Sequence, residues 1–399
     1  MKNKIMFVCQ YFYPEKVSSG VLPYEMASKM SEAGFEVSAL VGYPKEYATN
    51  NDEVSFMETT DKGVKIKRIR YIQSNRSNFI GRILNYVSFC FSVWKNRKEF
   101  KNIDKCICYT NPPLLPFVVA KLSKKYYFDM FFELYDLYPD VAIRSNTVNE
   151  NNIICRIMRL ATDYALKNAK KIILLSSEME AYLLSTKRQL NLKNKCIVIP
   201  NWYKRQNEKK ERIYSKPLVI LYGGNMGIMQ EMDTLVNTII SLKNNFDIRF
   251  IIAGHGIKKE SIEKTIKKQN IMNCEIYDFL PKEEYDILMK KVDLAVVSLE
   301  TFGKGLGSPS KVYSYLSSGI PIIAIMPDNT DIVNDIKIYQ CGVHITQGDY
   351  QSLIDFLIQI KDDTEKLVKM GLNAKKLFDE KYDIDIISRQ YEQMFREEI

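Results

Sequence analysis

A chain of 399 residues that is 46% hydrophobic and 26% charged is too long for one core and of ordinary globular composition, which sets disordered and fibrous classes aside and predicts two domains of roughly 150 to 200 residues. The eight cysteines form no CxxC pair, and the two histidines, His255 and His344, have no neighbouring ligands in sequence, so a zinc cluster and a Ser-His-Asp triad are disfavoured and a reducing cytosol is expected. The net charge of +9 is gathered in one region, where eleven Lys or Arg residues from Lys62 to Lys101 stand against one acid, Glu99, a density that attracts nucleic acid or lipid headgroups.

The chain opens MKNKIMFVCQYFYPE, whose apolar run is too short for a signal peptide and reads as a buried strand over 5–9. A turn through Pro14 and Ser18-Ser19-Gly20, a helix over 21–32 and a strand over 35–41 follow, the opening of a parallel α/β unit. Apolar runs at 64–69, 106–109, 128–134, 172–175 and 196–199 continue it into a doubly wound first half. Between the first two of these lies 79–98, FIGRILNYVSFCFSVWKNRK. Its uninterrupted apolar runs fall far below the roughly 20 residues of a membrane span, which leaves a core helix or a membrane-surface helix; the basic flanks favour the latter, with Phe89, Phe91 and Trp94 at headgroup level. Past the strand at 128–134, ELYDLYPD sets Glu133, Asp136 and Asp140 in a loop, where a carboxylate orients a hydroxyl, acts as a base, or is simply solvated.

The stretch NWYKRQNEKKERIYSKP is polar and ends in proline. It predicts a linker over 204–216 between a first domain, 1–203, and a second, 217–383. Strands of the second series are expected at 218–222, 248–253, 274–279, 294–298, 322–325 and 343–345, and helices from Asp349, Asp363 and Asp385. The last helix, 384–399, is expected to return to the first domain. Asp383-Ile384-Asp385 superficially matches a DxD metal motif but is read as the cap of that helix, so no metal site is assigned.

Glycine-bearing turns recur between strand and helix, at Ser18-Ser19-Gly20, at Gly223-Gly224-Asn225-Met226-Gly227 and over 305–310, with Gly254-His255-Gly256 after another strand. Open α/β sheets bind ligands at such strand ends, so a cleft holding a phosphorylated ligand is expected. Phe279-Leu280-Pro281 either presents backbone groups to a base edge or is a plain turn. The segment GLGSPSKVYSYLSSGIPIIA is punctuated throughout: Ser308 as N-cap, Pro309 as first helical residue, Gly319 as the left-handed stop, Pro321 before a strand. Lys311 then falls in the first helical turn, where a cation opposes the helix dipole by about 0.3 to 1 kcal/mol unless an anion sits in front. The segment reads either as a phosphate seat or as an ordinary capped helix with a solvated lysine.

Taken in order, YFYPE…SSG, ELYDLYPD, IPNW, YGGNMGIMQEMDTL, AGHG, DFLPKEEY and GSPSKVYSYLSSGIPIIA resemble glycosyltransferase family 4, and within it the branch of L-fucosamine and colanic-acid-type transferases of bacterial surface polysaccharides. The resemblance covers nearly the whole chain. It implies an α/β protein of two Rossmann-like domains facing each other across a cleft, the GT-B arrangement, and retention of anomeric configuration with no essential metal and no cofactor. The donor would be a nucleotide-sugar, UDP-linked, carrying a hexosyl or N-acetylhexosaminyl group, amino and deoxy sugars included. Carried over by position, Gly224, Asn225 and Gln230 lie near its phosphates and sugar, His255 and Gly256 near the nucleotide, and Phe279 and Leu280 beside the base. Ser308, Ser310 and Lys311 face the diphosphate, and Ser19, Gly20, Gly307 and Ser314 complete the donor-binding set. Lys311, Asp136 and Glu300 are the candidate catalytic residues. The family's paired glutamates fall near Leu306 and Ser314, neither acidic, and the basic residue that often follows the GGN-type turn is missing, which places more of the phosphate charge on Lys311.

The expected protein is a cytoplasmic transferase, peripheral at the inner face of the cell membrane through the anionic-surface-binding region 62–101, acting on a lipid-diphosphate-linked saccharide acceptor in O-antigen, capsule or exopolysaccharide synthesis. A sugar-nucleotide epimerase of the same build is disfavoured by the scarcity of histidine. A nucleic-acid-binding protein is disfavoured because no recognised motif accompanies the basic patch, so no nucleic-acid partner is expected.

Overall fold

The computed structural model describes residues 3–44, 57–74, 79–206, 216–278, 280 and 282–397. The chain divides into two units, one of Met1–Pro200, Gly305–Ser308 and Ile387–Ile399, the other of Asn201–Lys304 and Pro309–Ile386. Most of the linker expected at 204–216 lies outside the described residues.

In the first unit the elements run β1 (Lys4–Cys9), α1 (Ser18–Glu32), β2 (Glu36–Gly42), β3 (Glu58–Asp61), β4 (Val64–Ile69), α2 (Phe79–Lys95), β5 (Lys105–Tyr109), α3 (Leu115–Tyr126), β6 (Asp129–Leu134), α4 (Asp140–Arg144), α5 (Ile153–Asn168), β7 (Lys171–Leu174), α6 (Ser177–Thr186) and β8 (Cys196–Val198). The sheet order is β3-β4-β2-β1-β5-β6-β7-β8, parallel except for the β3–β4 pair. Strands covered on both faces need apolar residues at every position rather than alternate ones, and β1 and β5 meet that demand with Ile5–Cys9 and Cys106–Tyr109 all buried. The expected turn at Ser18-Ser19-Gly20 is instead the first turn of α1: the amides of Gly20 and Val21 both donate to the Val17 carbonyl, at 2.8 and 2.9 Å. Gly20 is tightly packed: a Cβ there would lie 3.2 Å from the Phe12 nitrogen and 3.3 Å from the Glu15 carbonyl oxygen.

The second unit runs β9 (Leu218–Gly223), α7 (Asp233–Ser241), β10 (Ile248–Ala253), α8 (Lys259–Lys268), β11 (Cys274–Tyr277), α9 (Lys282–Met289), β12 (Leu294–Ser298), α10 (Lys311–Ser317), β13 (Ile322–Ile325), α11 (Asp331–Tyr339), β14 (Gly342–Ile345), α12 (Tyr350–Ile360) and α13 (Thr364–Leu377). Its sheet, β11-β10-β9-β12-β13-β14, is parallel at every pair. Asp349 and Asp363 cap α12 and α13 by accepting from the Ser352 and Lys366 amides. The last helix, α14 (Ile384–Glu397), is capped by Asp383, whose Oδ1 accepts from the Asp385 amide at 3.1 Å. From Ile387 onward α14 belongs to the first unit. There Phe395 meets Phe131 with ring centres 4.9 Å apart, and Arg396 donates to the Ala33 carbonyl. Each unit is therefore a Rossmann-like α/β layer structure.

Candidate active site

In the second sheet the strand order reverses between β9 and β12, and ligands of such sheets sit beyond the carboxyl ends of the strands at that point. The loops after β9 and β10 are stitched together there. Gly224 donates to the Ala253 carbonyl at 2.8 Å, Met226 to the His255 carbonyl at 2.6 Å, and Lys258 to the Met226 carbonyl at 3.0 Å. The glycines serve this approach. Gly224, Gly254 and Gly256 have φ of +152°, +147° and +137°; a Cβ on Gly254 would lie 1.9 Å from the Gly224 carbonyl oxygen, and one on Gly256 2.5 Å from that of Met226. Beneath the turn, the Tyr315 hydroxyl donates to the Gly223 carbonyl at 3.0 Å and accepts from its amide at 3.1 Å.

Lys311 lies over this turn, its Cγ 3.7 Å from where a Gly224 Cβ would stand. Its ammonium is 4.9 Å from the centre of the Tyr285 ring, a favourable cation–π distance. Lys311 as a residue is exposed, while the protein atoms around its ammonium desolvate it in part and lower its pKa. Among the described residues no carboxylate pairs with it. The helix behind it starts later than the sequence predicts: α10 begins at Lys311, with Ser310 in the cap position and no side-chain cap, so Ser308 and Pro309 precede it. The Val312 amide closes a tighter turn onto the Pro309 carbonyl. Gly319, at φ +63°, ends the helix in the expected left-handed conformation.

A second cation reaches the same loops. Lys258 donates through Nζ to the Gln230 carbonyl at 2.6 Å and to Glu300 Oε1 at 2.7 Å. The Glu300 amide in turn donates to the Met229 carbonyl at 2.7 Å. The Gln230 side chain serves its own turn, Oε1 accepting from the Gly227 amide at 3.0 Å, while Asn225 and His255 are exposed. Ser314 does not face this site. It is buried, and its hydroxyl donates to the Lys311 carbonyl within α10. Leu280 packs on the hydrophobic core with Tyr285, and Phe279 lies outside the described residues. Lys258, Tyr285 and Tyr315 were missed from sequence. A lysine two residues past Gly256 at a strand's carboxyl end was the available signal for the first; the tyrosines, one helix residue among many, gave none.

In the first unit Ser19 and Gly20 sit in the first turn of α1, and Gly307 and Ser308 belong to a segment whose Leu306 carbonyl accepts from the Leu137 amide at 3.3 Å. Asp136 follows β6, its amide donating to Thr110 Oγ1 at 3.3 Å, and burial pushes its carboxyl up to about 6. Glu133 is not a loop acid. It lies within β6 in register with Tyr109, fully buried. Desolvation pushes its pKa up to about 8 against the opposing influence of the Tyr391 and Tyr135 hydroxyls.

The basic region is less uniform than its sequence. Lys65 pairs with Glu36, Lys67 with both Glu58 and Glu99, and Arg68 is buried. Phe89, expected at a surface, is in the core against Tyr71. The exposed stripe of α2 is instead Ile80, Leu84, Val87, Phe91 and Trp94, at the alternating four- and three-residue spacing of one helix face. Among the described residues no helix is long and apolar enough to cross a membrane, and no three His, Cys, Asp or Glu come together as a metal site.

Residues 203–377 match the family model described as Glycosyl transferases group 1. The probable glycosyltransferase WbjE of Pseudomonas aeruginosa is 24% identical over 275 residues, 66% of this chain and 68% of that protein. The chitobiosyldiphosphodolichol beta-mannosyltransferase of Candida albicans is 22% identical over 325 residues, 75% of this chain and 68% of that protein. The crystal structure of Anabaena Alr3699/HepE in complex with UDP and glucose superposes with a TM-score of 0.70 at 15% identity, covering 99% of both chains. The fold is the GT-B fold of two Rossmann-like domains.

Proposed function

We propose, from the premise that its second half is a Glycosyl transferases group 1 domain, that the chain transfers a sugar from a UDP-linked donor to a lipid-diphosphate-linked saccharide, with retention of configuration and without a metal. The observation that carries this reading is the Lys311 ammonium: set against the Tyr285 ring, without a described carboxylate partner, and held over the Gly223-Gly224 turn where the sheet order reverses. A partly desolvated cation with no described carboxylate beside it favours an anionic ligand, and a diphosphate supplies that charge. When the bond from the anomeric carbon to the diphosphate breaks, negative charge grows on the leaving oxygen, and a fixed ammonium stabilises it more than it stabilises the bound donor. The acceptor hydroxyl forms the new bond and passes its proton to the departing phosphate.

A structural neighbour holding UDP and glucose supports the donor class, and a relative whose name carries a diphosphodolichol-linked sugar supports the acceptor class. The exposed stripe of α2, continued by Lys95, Arg97, Lys98 and Lys101, has the composition of a helix lying in an anionic lipid surface. On this reading the protein is peripheral at the cytoplasmic face of the membrane and serves O-antigen, capsule or exopolysaccharide synthesis. The test is a panel of nucleotide-sugars, amino and deoxy sugars included, with a lipid-diphosphate monosaccharide acceptor in buffer containing EDTA. Transfer from a UDP-sugar with retained configuration is expected. Transfer that needs added magnesium or manganese overturns the metal-independent mechanism, and absence of transfer from every nucleotide-sugar overturns the reading.

A further inference from the structure

We infer that Lys258 is a positioning residue for the donor: it neutralises Glu300 and fixes the three loops that meet at the sheet reversal. The inference rests on the donor-binding reading above.

The geometry of Lys258 is unusual for a solvated lysine. Its backbone amide is committed to the Met226 carbonyl, in the loop after β9, although Lys258 itself follows β10. Its ammonium then crosses back to the Gln230 carbonyl at 2.6 Å and forward to Glu300 at 2.7 Å, in the loop after β12. One side chain thus joins three loops, and only about a quarter of it, 26%, is exposed. Surface ion pairs hold little energy because water competes for both partners, but this pair is shielded and shares its ammonium with a carbonyl, the arrangement in which charge-assisted bonds fix geometry.

Electrostatics gives the pair its purpose. Glu300 is close enough to Glu231 to add to the upward shift of the latter's pKa, behind burial and Asp233. Glu300 thus adds negative charge near Glu231 in the loops at the sheet reversal, where Lys311 is the cation assigned to a diphosphate. Lys258 cancels that charge. Without it the loops carry an uncompensated Glu300 beside an incoming anion, and nothing described holds that carboxylate in one orientation. Binding should then weaken through repulsion and through loss of loop order, two effects that removal of the Glu300 charge relieves in part.

The experiment is UDP binding by calorimetry to four proteins: wild type, Lys258→Met, Glu300→Gln, and the double variant, with Lys258→Arg as a charge-conserving comparison. Lys258→Met should bind UDP about tenfold or more weakly. The double variant should recover most of that loss, because the orphaned carboxylate is gone, and Lys258→Arg should stay within about threefold of wild type. A merely structural lysine predicts loss in proportion to thermal destabilisation and no recovery from Glu300→Gln. Lys258→Met binding within about twofold of wild type, or a double variant as weak as Lys258→Met alone, overturns the inference while leaving the donor site standing. A wild-type protein that binds no UDP overturns the donor reading and the inference with it.

Discussion

The Lys311 ammonium and the Tyr285 ring, 4.9 Å apart, form a cation–π pair at the point where the second sheet reverses its strand order. A ring face is a modest partner, worth about 0.5 to 2 kcal/mol, and does not match what a carboxylate or phosphate offers a desolvated ammonium. Tyr285 is partly buried against the core, its hydroxyl pushed up to about 12 by desolvation, so the ring that faces the ammonium is anchored from beneath. Folding alone gives no reason for a lysine there. Ligand binding does.

The buried acid of the first unit predicts a pH signature. Glu133 rises from 4.5 to about 8, chiefly through burial, so between those values the folded chain keeps a proton that the unfolded chain releases. Stability is then greatest at the acid end of that window, falls as pH rises through it, and levels off above about 8. Glu133→Gln should be nearly neutral in urea melts at about pH 5 and increasingly stabilising toward about pH 8. A variant destabilised equally at all pH values would show that Glu133 is ionised in the fold.

Glycine at the stitched loops is predicted to be irreplaceable, and a control separates backbone strain from collision. Gly34 and Gly254 both have positive φ, +93° and +147°, but a Cβ on Gly34 meets nothing within 4 Å while one on Gly254 would lie 1.9 Å from the Gly224 carbonyl oxygen. Gly34→Ala should lower stability by about 1 kcal/mol, and Gly254→Ala by roughly 3 kcal/mol or more, with loss of UDP binding. Equal effects in urea melts would mean the loops separate easily.

Membrane attachment is predicted to depend on the exposed face of α2 and not on its buried one. Replacing Phe91 and Trp94 by Glu should abolish sedimentation with anionic liposomes and leave UDP binding unchanged, as should replacing Lys95, Arg97, Lys98 and Lys101 by Glu. High salt should release the wild-type protein. Equal sedimentation with neutral and anionic liposomes would assign this face to something other than a charged lipid surface.

What was legible in the sequence is what local chemistry dictates. Strands over 248–253, 294–298 and 322–325 appear where the apolar runs placed them, because a strand covered on both faces cannot be written otherwise. The β3 strand, ETTD, escaped notice because an exposed polar hairpin strand carries no such signature. Phe89 and Phe91 look alike in sequence, yet one is in the core and one is 67% exposed; two residues on a helix turn through about 200°, and the phase was not read. The basic region looked like unrelieved like charge because Glu36 and Glu58, its partners, lie outside the counted stretch. The site divided in the same way. Lys311 stood out against a helix terminus, whereas Lys258 and Tyr285 acquire meaning only when the fold brings their loops and helices to Gly224 and Lys311.

Whether Lys311 is kept for an anion or for the fold is decided by a pair of measurements on Lys311→Met. Thermal stability and turnover of a UDP-sugar are compared with wild type. Turnover should fall by the equivalent of about 2 to 4 kcal/mol in transition-state stabilisation, while the melting temperature stays level, because the ammonium has no described carboxylate partner to lose and Met keeps a side chain of similar length against the Tyr285 ring. Wild-type turnover in the variant, or turnover lost only in step with a lowered melting temperature, would contradict the account.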